Sequence, residues 1–394
     1  MKRVIAVLLV SVMVFAALVG CGGTKADGSK TESTNTQIAS TESTTPESTN
    51  TGGAKSFKVG LSIYSTSDAT SKPVYETCKR AVEAMGGELV LAIDEINQDK
   101  QITQLENLIS SGCEAVLFLP YSDDAVPTIV KMCEENKVYF GMYWHALGSD
   151  KEIVIASPYF LGNTYEDDVW SAYTAMKTLH EAGASQIGFF GLPKGRETTT
   201  LRDNGVKKAC EEFGMKILVE DRENVNDASD AASSLESFIA SYPEMDGVVI
   251  AGMTQVVLPG VMQTLSKLGL EGKIKVSAID YNDNQTKYYE AGTLNGMIGG
   301  HFCGPTYLVS LIANKLNNTP LAEGPVSIKD NFIVLTGVED AHNYDKYVAT
   351  DLAYSTKELA TWTKANNPDF TYEKLLEIVE AYSLNDILTR QGHK

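Results

Sequence analysis

Short apolar runs alternate along this chain with longer stretches whose apolar residues recur every third or fourth position. Lys58 to Ile63 reads as a strand, and Pro73 opens a helix that runs to Met85 and stops at Gly86-Gly87. Glu88 to Ile93, Ala115 to Leu119 and Val138 to Met142 read as further strands. Helices over Gln101 to Ser111 and Ala125 to Glu135 separate them. The cycle restarts near Thr164 with a long helix to His180. Strands then follow at Gln186 to Phe190, Met215 to Val219, Gly247 to Ile250 and Ile274 to Ile279, with helices over Leu201 to Phe213, Ala228 to Ala240 and Gln255 to Leu268 between them.

Strand–helix alternation of this kind predicts α/β architecture, with mostly parallel sheets covered on both faces. The repetition predicts two doubly wound, Rossmann-like lobes. Later strands at Leu294 to Gly299 and Asn331 to Leu335 are places where the chain could pass between lobes. The expected lobes are 57–160 with 301–332, and 161–300 with 333–394. The second lobe thus includes a polar tail, with a helix at Tyr372 to Ala381.

The first residues have a different pattern. Lys2 and Arg3 precede an uncharged run from Val4 to Val19. That run is short of the ~20 residues that span a bilayer, and it fits a signal peptide over 1–20. Leu18-Val19-Gly20-Cys21 resembles a bacterial lipobox, which implies lipidation at Cys21; an ordinary secretory signal with a chance cysteine is the alternative. Residues 21–56 are rich in Ser, Thr and Glu and poor in large apolar side chains. They predict a disordered tether reaching roughly 30–35 Å.

Net charge is −18, which sets the chain against nucleic acid and anionic head groups. Apart from Cys21, Cys78, Cys113, Cys133, Cys210 and Cys303 form no C-x-x-C pair and no zinc spacing, so they read as small buried thiols. Gly191 to Arg196 falls short of a phosphate loop and reads as the loop above a second-lobe strand, where it could still touch a ligand; Asp123-Asp124 reads as a helix start. His180-Glu181, His342 and Asp345 lack partners at metal spacing, and no nucleophile motif appears. Neither cofactor, metal nor catalysis is expected.

Asp99-Lys100-Gln101-Ile102, followed by Glu106-Asn107-Leu108-Ile109-Ser110-Ser111-Gly112-Cys113-Glu114-Ala115-Val116, resembles a long motif of the type 1 periplasmic binding proteins, the ribose- and galactose-binding class. Arg202-Asp203-Asn204-Gly205 and Ala278-Ile279-Asp280 resemble two further motifs of that family. Nothing before residue 57 reads as a helix-turn-helix, so the resemblance implies the binding proteins and not the related regulators. It implies two lobes joined by a three-segment hinge, with a ligand held between them as they close on it.

Ligands of open α/β sheets lie at the carboxyl ends of strands. Here those ends carry Tyr64, Tyr121, Trp144, His145, Arg202, Met253, Asp280 and His301. Aromatic faces suit the C–H side of a sugar ring, and Arg and Asp suit its hydroxyls. Asp280 could instead cap a helix, Arg202 could form a surface salt bridge, and Trp144 could be core. Where the family often has Asp-Arg, Asn-Asp and Gln, this chain has Tyr143-Trp144, Met253-Thr254 and Gly300-His301. The resemblance therefore implies a site less polar than a ribose site and a neutral ring of fewer hydroxyls.

The resulting expectation is a monomeric lipoprotein, anchored outside the cytoplasm, that hands a sugar-like solute to an ABC permease. A sensor docking on a receptor kinase or chemoreceptor is the alternative. An enzyme acting on a sugar stands third.

Overall fold

The computed structural model describes residues 56–394; the signal peptide, Cys21 and the tether expected before them lie outside the described residues. The first sheet is laid down by β1 (Lys58–Ile63), β2 (Glu88–Ile93), β3 (Ala115–Phe118), β4 (Tyr139–Met142) and β5 (Phe160–Glu166). Between them run α1 (Ser71–Ala84), α2 (Gln98–Ser110), α3 (Val126–Asn136) and α4 (Lys151–Ala156). The second lobe contains α5 (Asp168–Glu181), β6 (Gln186–Phe190), α6 (Glu197–Phe213), β7 (Lys216–Asp221), α7 (Ala228–Ser241) and β8 (Gly247–Ile250). It continues with α8 (Thr254–Leu268), β9 (Lys275–Ile279), α9 (Gln285–Glu290) and β10 (Leu294–Gly299).

The chain then returns through α10 (Gly304–Leu316) to β11 (Val326–Asp330), which pairs with β5 in the first sheet. It crosses again to β12 (Ile333–Leu335), which pairs antiparallel with β10. The strand orders are β11-β5-β4-β3-β1-β2 and β12-β10-β9-β8-β6-β7. All pairings except β10–β12 are parallel, so helices cover both faces, and the central strands other than β5 are mostly apolar on both sides. Three chain segments, at residue 167, at 300–303 and at 331–332, join the two lobes.

Two expected boundaries differ from the structure. The division at 160/161 falls at the start of β5, which belongs to the first sheet. Asn163 and Thr164 are fully buried polar residues in that strand, so its apolar signature is broken. The tail 333–394 was expected with the second lobe. Beyond β12, α11 (Val338–Asn343) packs on α9, followed by a π-helical turn over Tyr344–Thr350. The rest, with α12 (Thr356–Ala360), α13 (Tyr372–Ala381) and α14 (Leu384–Arg390), turns back to the first lobe. There α12 packs on α1, and Trp362 stacks on Tyr307 of α10 with centroids 6.0 Å apart. Buried Tyr354, Leu359 and Trp362 cover an apolar flank that α1 and α10 would otherwise leave in water.

Cys78, Cys113, Cys133, Cys210 and Cys303 are all unpaired, and all but Cys210 are buried. Burial pushes the Cys78 thiol up to about 12, so it behaves as a small apolar side chain.

Candidate ligand-binding cleft

A cleft of about 340 Å³ opens where the carboxyl ends of both sheets face each other. Its first-lobe wall carries Tyr64 beyond β1, Ile96 beyond β2, Leu119 and Tyr121 beyond β3, and Trp144 beyond β4. The second lobe contributes Leu192, Arg196, Met253, Gln255 and Asp280. Glu166 and His301, beside two of the inter-lobe crossings, form part of the floor together with Arg202.

Besides Ile96 (φ 58) beyond β2, three of these residues stand in the left-handed backbone region: Trp144 (φ 52), Met253 (φ 55) and Asp280 (φ 72). Each lies just past a strand, at β4, β8 and β9. Non-glycine residues rarely adopt this conformation, and where they do it re-aims a side chain at some conformational cost. At Trp144 the effect is visible in its neighbours. Tyr143 is fully buried and its hydroxyl donates to the Ser62 carbonyl at 2.8 Å, while Trp144 is turned out into the cleft. The indole N–H donates to the His301 carbonyl at 2.9 Å, which fixes the ring and leaves its face available.

A charged network ties the floor together. Glu166 Oε1 lies 2.5 Å from His301 Nε2, and Glu166 Oε2 accepts from Arg202 Nη2 at 3.3 Å. Arg202 Nε donates to Asp168 at 2.7 Å, and Nη1 donates to the Ala251 carbonyl at 2.9 Å. Burial alone would raise the Glu166 carboxyl. The His301 imidazolium and the Arg202 guanidinium outweigh it and hold Glu166 down at about 2. Burial would lower His301, but Glu166, with Asp280 and Asp330 further off, carries it above the ordinary histidine value. Asp280 Oδ1 is 3.7 Å from His301 Nε2, and burial raises its carboxyl against the pull of Arg202 and His301. Among the described residues no hydrogen bond reaches the Asp280 carboxyl, so its oxygens are open to the cleft.

On the opposite wall the tyrosine hydroxyls are engaged. Tyr121 donates to Asp94 at 2.5 Å, and Asp94 also accepts from Ser62 at 2.6 Å. Tyr64 lies 3.4 Å from Asp68, whose carboxylate caps α1 by accepting from the Ser71 N–H at 2.8 Å. The hydroxyl protons of both rings are thus committed to carboxylates of the first lobe. With Trp144, Met253, Leu119 and Ile96 the two rings make a largely apolar surround for a few polar groups, the usual composition of a small-molecule site.

Seven of the eight residues expected from the sequence line this cleft: Tyr64, Tyr121, Trp144, Arg202, Met253, Asp280 and His301. His145 does not. Its ring is buried against Asp150 at 2.8 Å, and its backbone N–H donates to Thr164 at 2.9 Å, because the turn that exposes Trp144 directs the next residue inward. Arg202 is no surface salt bridge, being buried and three-way paired.

Asp68 and Glu166 line the cleft without having been read from the sequence, while Arg196 reaches it from the loop after β6 that the sequence marked as able to touch a ligand. The acidic run Glu166-Asp167-Asp168 was visible, but its meaning depended on recognising β5. Asp68, three residues before Ser71, carries a helix-capping signature. The Arg196 side chain makes no hydrogen bond or ion pair among the described residues, and it ends the loop Gly191 to Arg196 that the sequence places above a second-lobe strand. Among the described residues no group of three or more His, Cys, Asp or Glu could hold a metal ion.

Known proteins match this architecture. A family model for the periplasmic binding protein domain matches residues 59–302. The chain is 22% identical over 243 residues to a xylitol-binding protein of Mycolicibacterium smegmatis, covering 61% of this chain and 66% of that protein. It is 24% identical over 205 residues to the ribose import binding protein of Bacillus subtilis, covering 50% of this chain and 63% of that one. The matches thus span about two thirds of the length of these curated relatives. Among solved structures, a periplasmic sugar-binding protein from Pseudomonas fluorescens superposes with a TM-score of 0.69 at 15% identity, covering 84% of this chain and 99% of that one. The family model takes in both lobes and all the cleft-lining strand ends from Tyr64 to His301, and on that ground the chain belongs to the type 1 periplasmic binding proteins.

Proposed function

We propose that this chain is the substrate-binding component of an ABC importer and captures a small sugar or sugar-like solute between its two lobes. One observation carries the reading. An aromatic face, Trp144, stands on the first-lobe wall of a cleft whose second-lobe wall holds an Asp280 carboxylate with open acceptor capacity and the Arg202 guanidinium on its floor. A ring with one apolar face and hydroxyls at its edge satisfies both walls at once, and only a ligand touching both lobes stabilises closure. The named relatives, a xylitol binder and a ribose import protein, bind compounds of this kind. The apolar surround favours a neutral solute with fewer hydroxyls than ribose. Cys21 would be lipidated and hold the protein at the outer face of the membrane, where a permease could receive the closed form. The binding protein acts as a monomer, with no cofactor.

The test is a thermal-shift screen over pentoses, hexoses, deoxy sugars and polyols, with divalent metals and oligonucleotides as controls. Ligand at 100 times its Kd should add about 2.7 kcal/mol of stability. Stabilisation by metals or oligonucleotides alone would overturn the reading. A sensor role would appear instead as ligand-dependent binding to a receptor ectodomain in place of a permease.

A further inference from the structure

The family match ends at residue 302, and no residue beyond His301 lines the cleft. The C-terminal segment is nevertheless fastened to both lobes. On the second lobe, Asp345 accepts from Thr286 at 2.5 Å and from Gln285 at 3.2 Å, both on α9. Tyr344 packs edge-on against Tyr281, with centroids 4.4 Å apart. On the first lobe, Arg80 of α1 donates to the carbonyls of Asp351 at 2.8 Å and Tyr354 at 3.1 Å. Ser310 of α10 donates to the Trp362 carbonyl at 2.7 Å.

The same segment also holds the crossings. The Tyr382 hydroxyl, buried, donates to the carbonyl of Gly300, in the segment that leads from β10 back to the first lobe. Asn331, in the last crossing, donates to the carbonyls of Val379 at 2.9 Å and Glu380 at 3.1 Å. Gly300 has φ 76, a conformation suited to a backbone that must rotate.

We propose that residues 338–394 brace the hinge. Tyr382 and Asp345 are positioning residues for binding, limiting how far the lobes open without touching the ligand. This rests on the reading that the lobes close on a solute. Hinge motion is absorbed by a few backbone torsions at the crossings. A segment bonded to α1, to α9 and to two crossings must strain or break those bonds as the lobes swing apart. It therefore narrows the open ensemble and keeps it nearer to the closed form. A protein whose binding-competent fraction is larger has a proportionally lower apparent Kd.

The experiment places spin labels, through non-canonical residues that leave the native cysteines alone, at Lys79 on α1 and Glu236 on α7. Inter-lobe distances are measured in the full-length protein without ligand, then with ribose and with xylitol. In Tyr382→Phe combined with Asp345→Ala, the ligand-free distance distribution should broaden and its mean lengthen. If the competent fraction falls roughly threefold, Kd should rise roughly threefold. Tyr382→Phe alone keeps the ring packing and should show the same change in smaller measure, so a misfolded double variant leaves the test intact. Ligand-free distributions that superpose on the wild type would overturn the brace, whatever happens to the melting temperature, since a segment that only covers α1 and α10 would change stability alone. A wild-type distribution that neither ribose nor xylitol narrows would count against the closure reading or those ligands. The ligand-free comparison would still decide the brace.

Discussion

Asp280 and His145 make opposite claims on experiment. Asp280 offers an acceptor to the cleft, so Asp280→Ala should weaken ligand binding by about 1–3 kcal/mol with the fold intact. Asp280→Asn tolerates the left-handed backbone and should lose affinity to a similar degree, which separates lost chemistry from backbone strain. His145 is paired with Asp150 away from the cleft. His145→Ala should leave affinity unchanged and cost about 1–3 kcal/mol of stability, because Asp150 is left buried without its partner. Calorimetry for affinity and denaturant melts for stability check both. His301 adds a pH dependence. Its raised folded pKa means its stabilising contribution is complete below the unfolded value of about 6.5 and is lost as pH rises through the folded one. Glu166 works in the other direction: its contribution is present above an unfolded pKa of about 4.3 and is lost as pH falls toward 2. Wild-type melting temperature should therefore drop as pH rises above about 6.5, and His301→Gln should flatten that drop. An unchanged slope in the variant would remove His301 from the linkage. The strand-end argument found the cleft residues other than Arg202, which lies within α6 and not at a strand end, because position past a parallel strand is readable from periodicity. It could not foresee His145, because one left-handed residue decides which of two neighbours faces out.

At the scale of elements, the Arg-x-x-Gly motif has a packing reason. A Cβ on Gly205 would collide with the Val169 carbonyl and with Ala172, so glycine lets α6 lie close on α5. That approach brings Arg202 of α6 within 2.7 Å of Asp168 at the start of α5. Gly205→Ala should cost about 1–3 kcal/mol through overpacking, and by pushing α6 outward it should also weaken ligand binding. Full affinity in a destabilised Gly205→Ala would show that the floor does not depend on this contact. Strands β1 to β4 were legible because each is a short, mostly apolar run flanked by a helix with a 3–4-residue apolar period. Among the elements that were not, three shape the lobe boundary. Asn163 and Thr164 interrupt β5, and buried Asp330 ends β11, so neither looks like a core strand. Helix α10 is buried along its length from Gly304 to Asn314, and an element buried all round shows no amphipathic period. All three complete the first lobe, which is why its boundary was misplaced while the second lobe's strands were found.

The whole molecule is a pair of similar lobes whose cleft gathers residues distant in sequence, with a tail that the binding-protein pattern did not explain. The tail's contacts depend on single tyrosines, asparagines and carbonyls, which carry no periodic signal. The anchor belongs to this scale as well. Cys21→Ala should release the protein from the membrane fraction, followed by cell fractionation; retention would count against lipidation at that residue. The most direct test of two-lobed capture is a calorimetric titration of the wild type, Asp280→Ala and His145→Ala with a panel of monosaccharides and polyols. At least one compound should bind the wild type with one molecule per chain, bind Asp280→Ala at least roughly fivefold more weakly, and bind His145→Ala as the wild type does. Equal affinity for the wild type and Asp280→Ala, or no binding by any member of the panel, would contradict it.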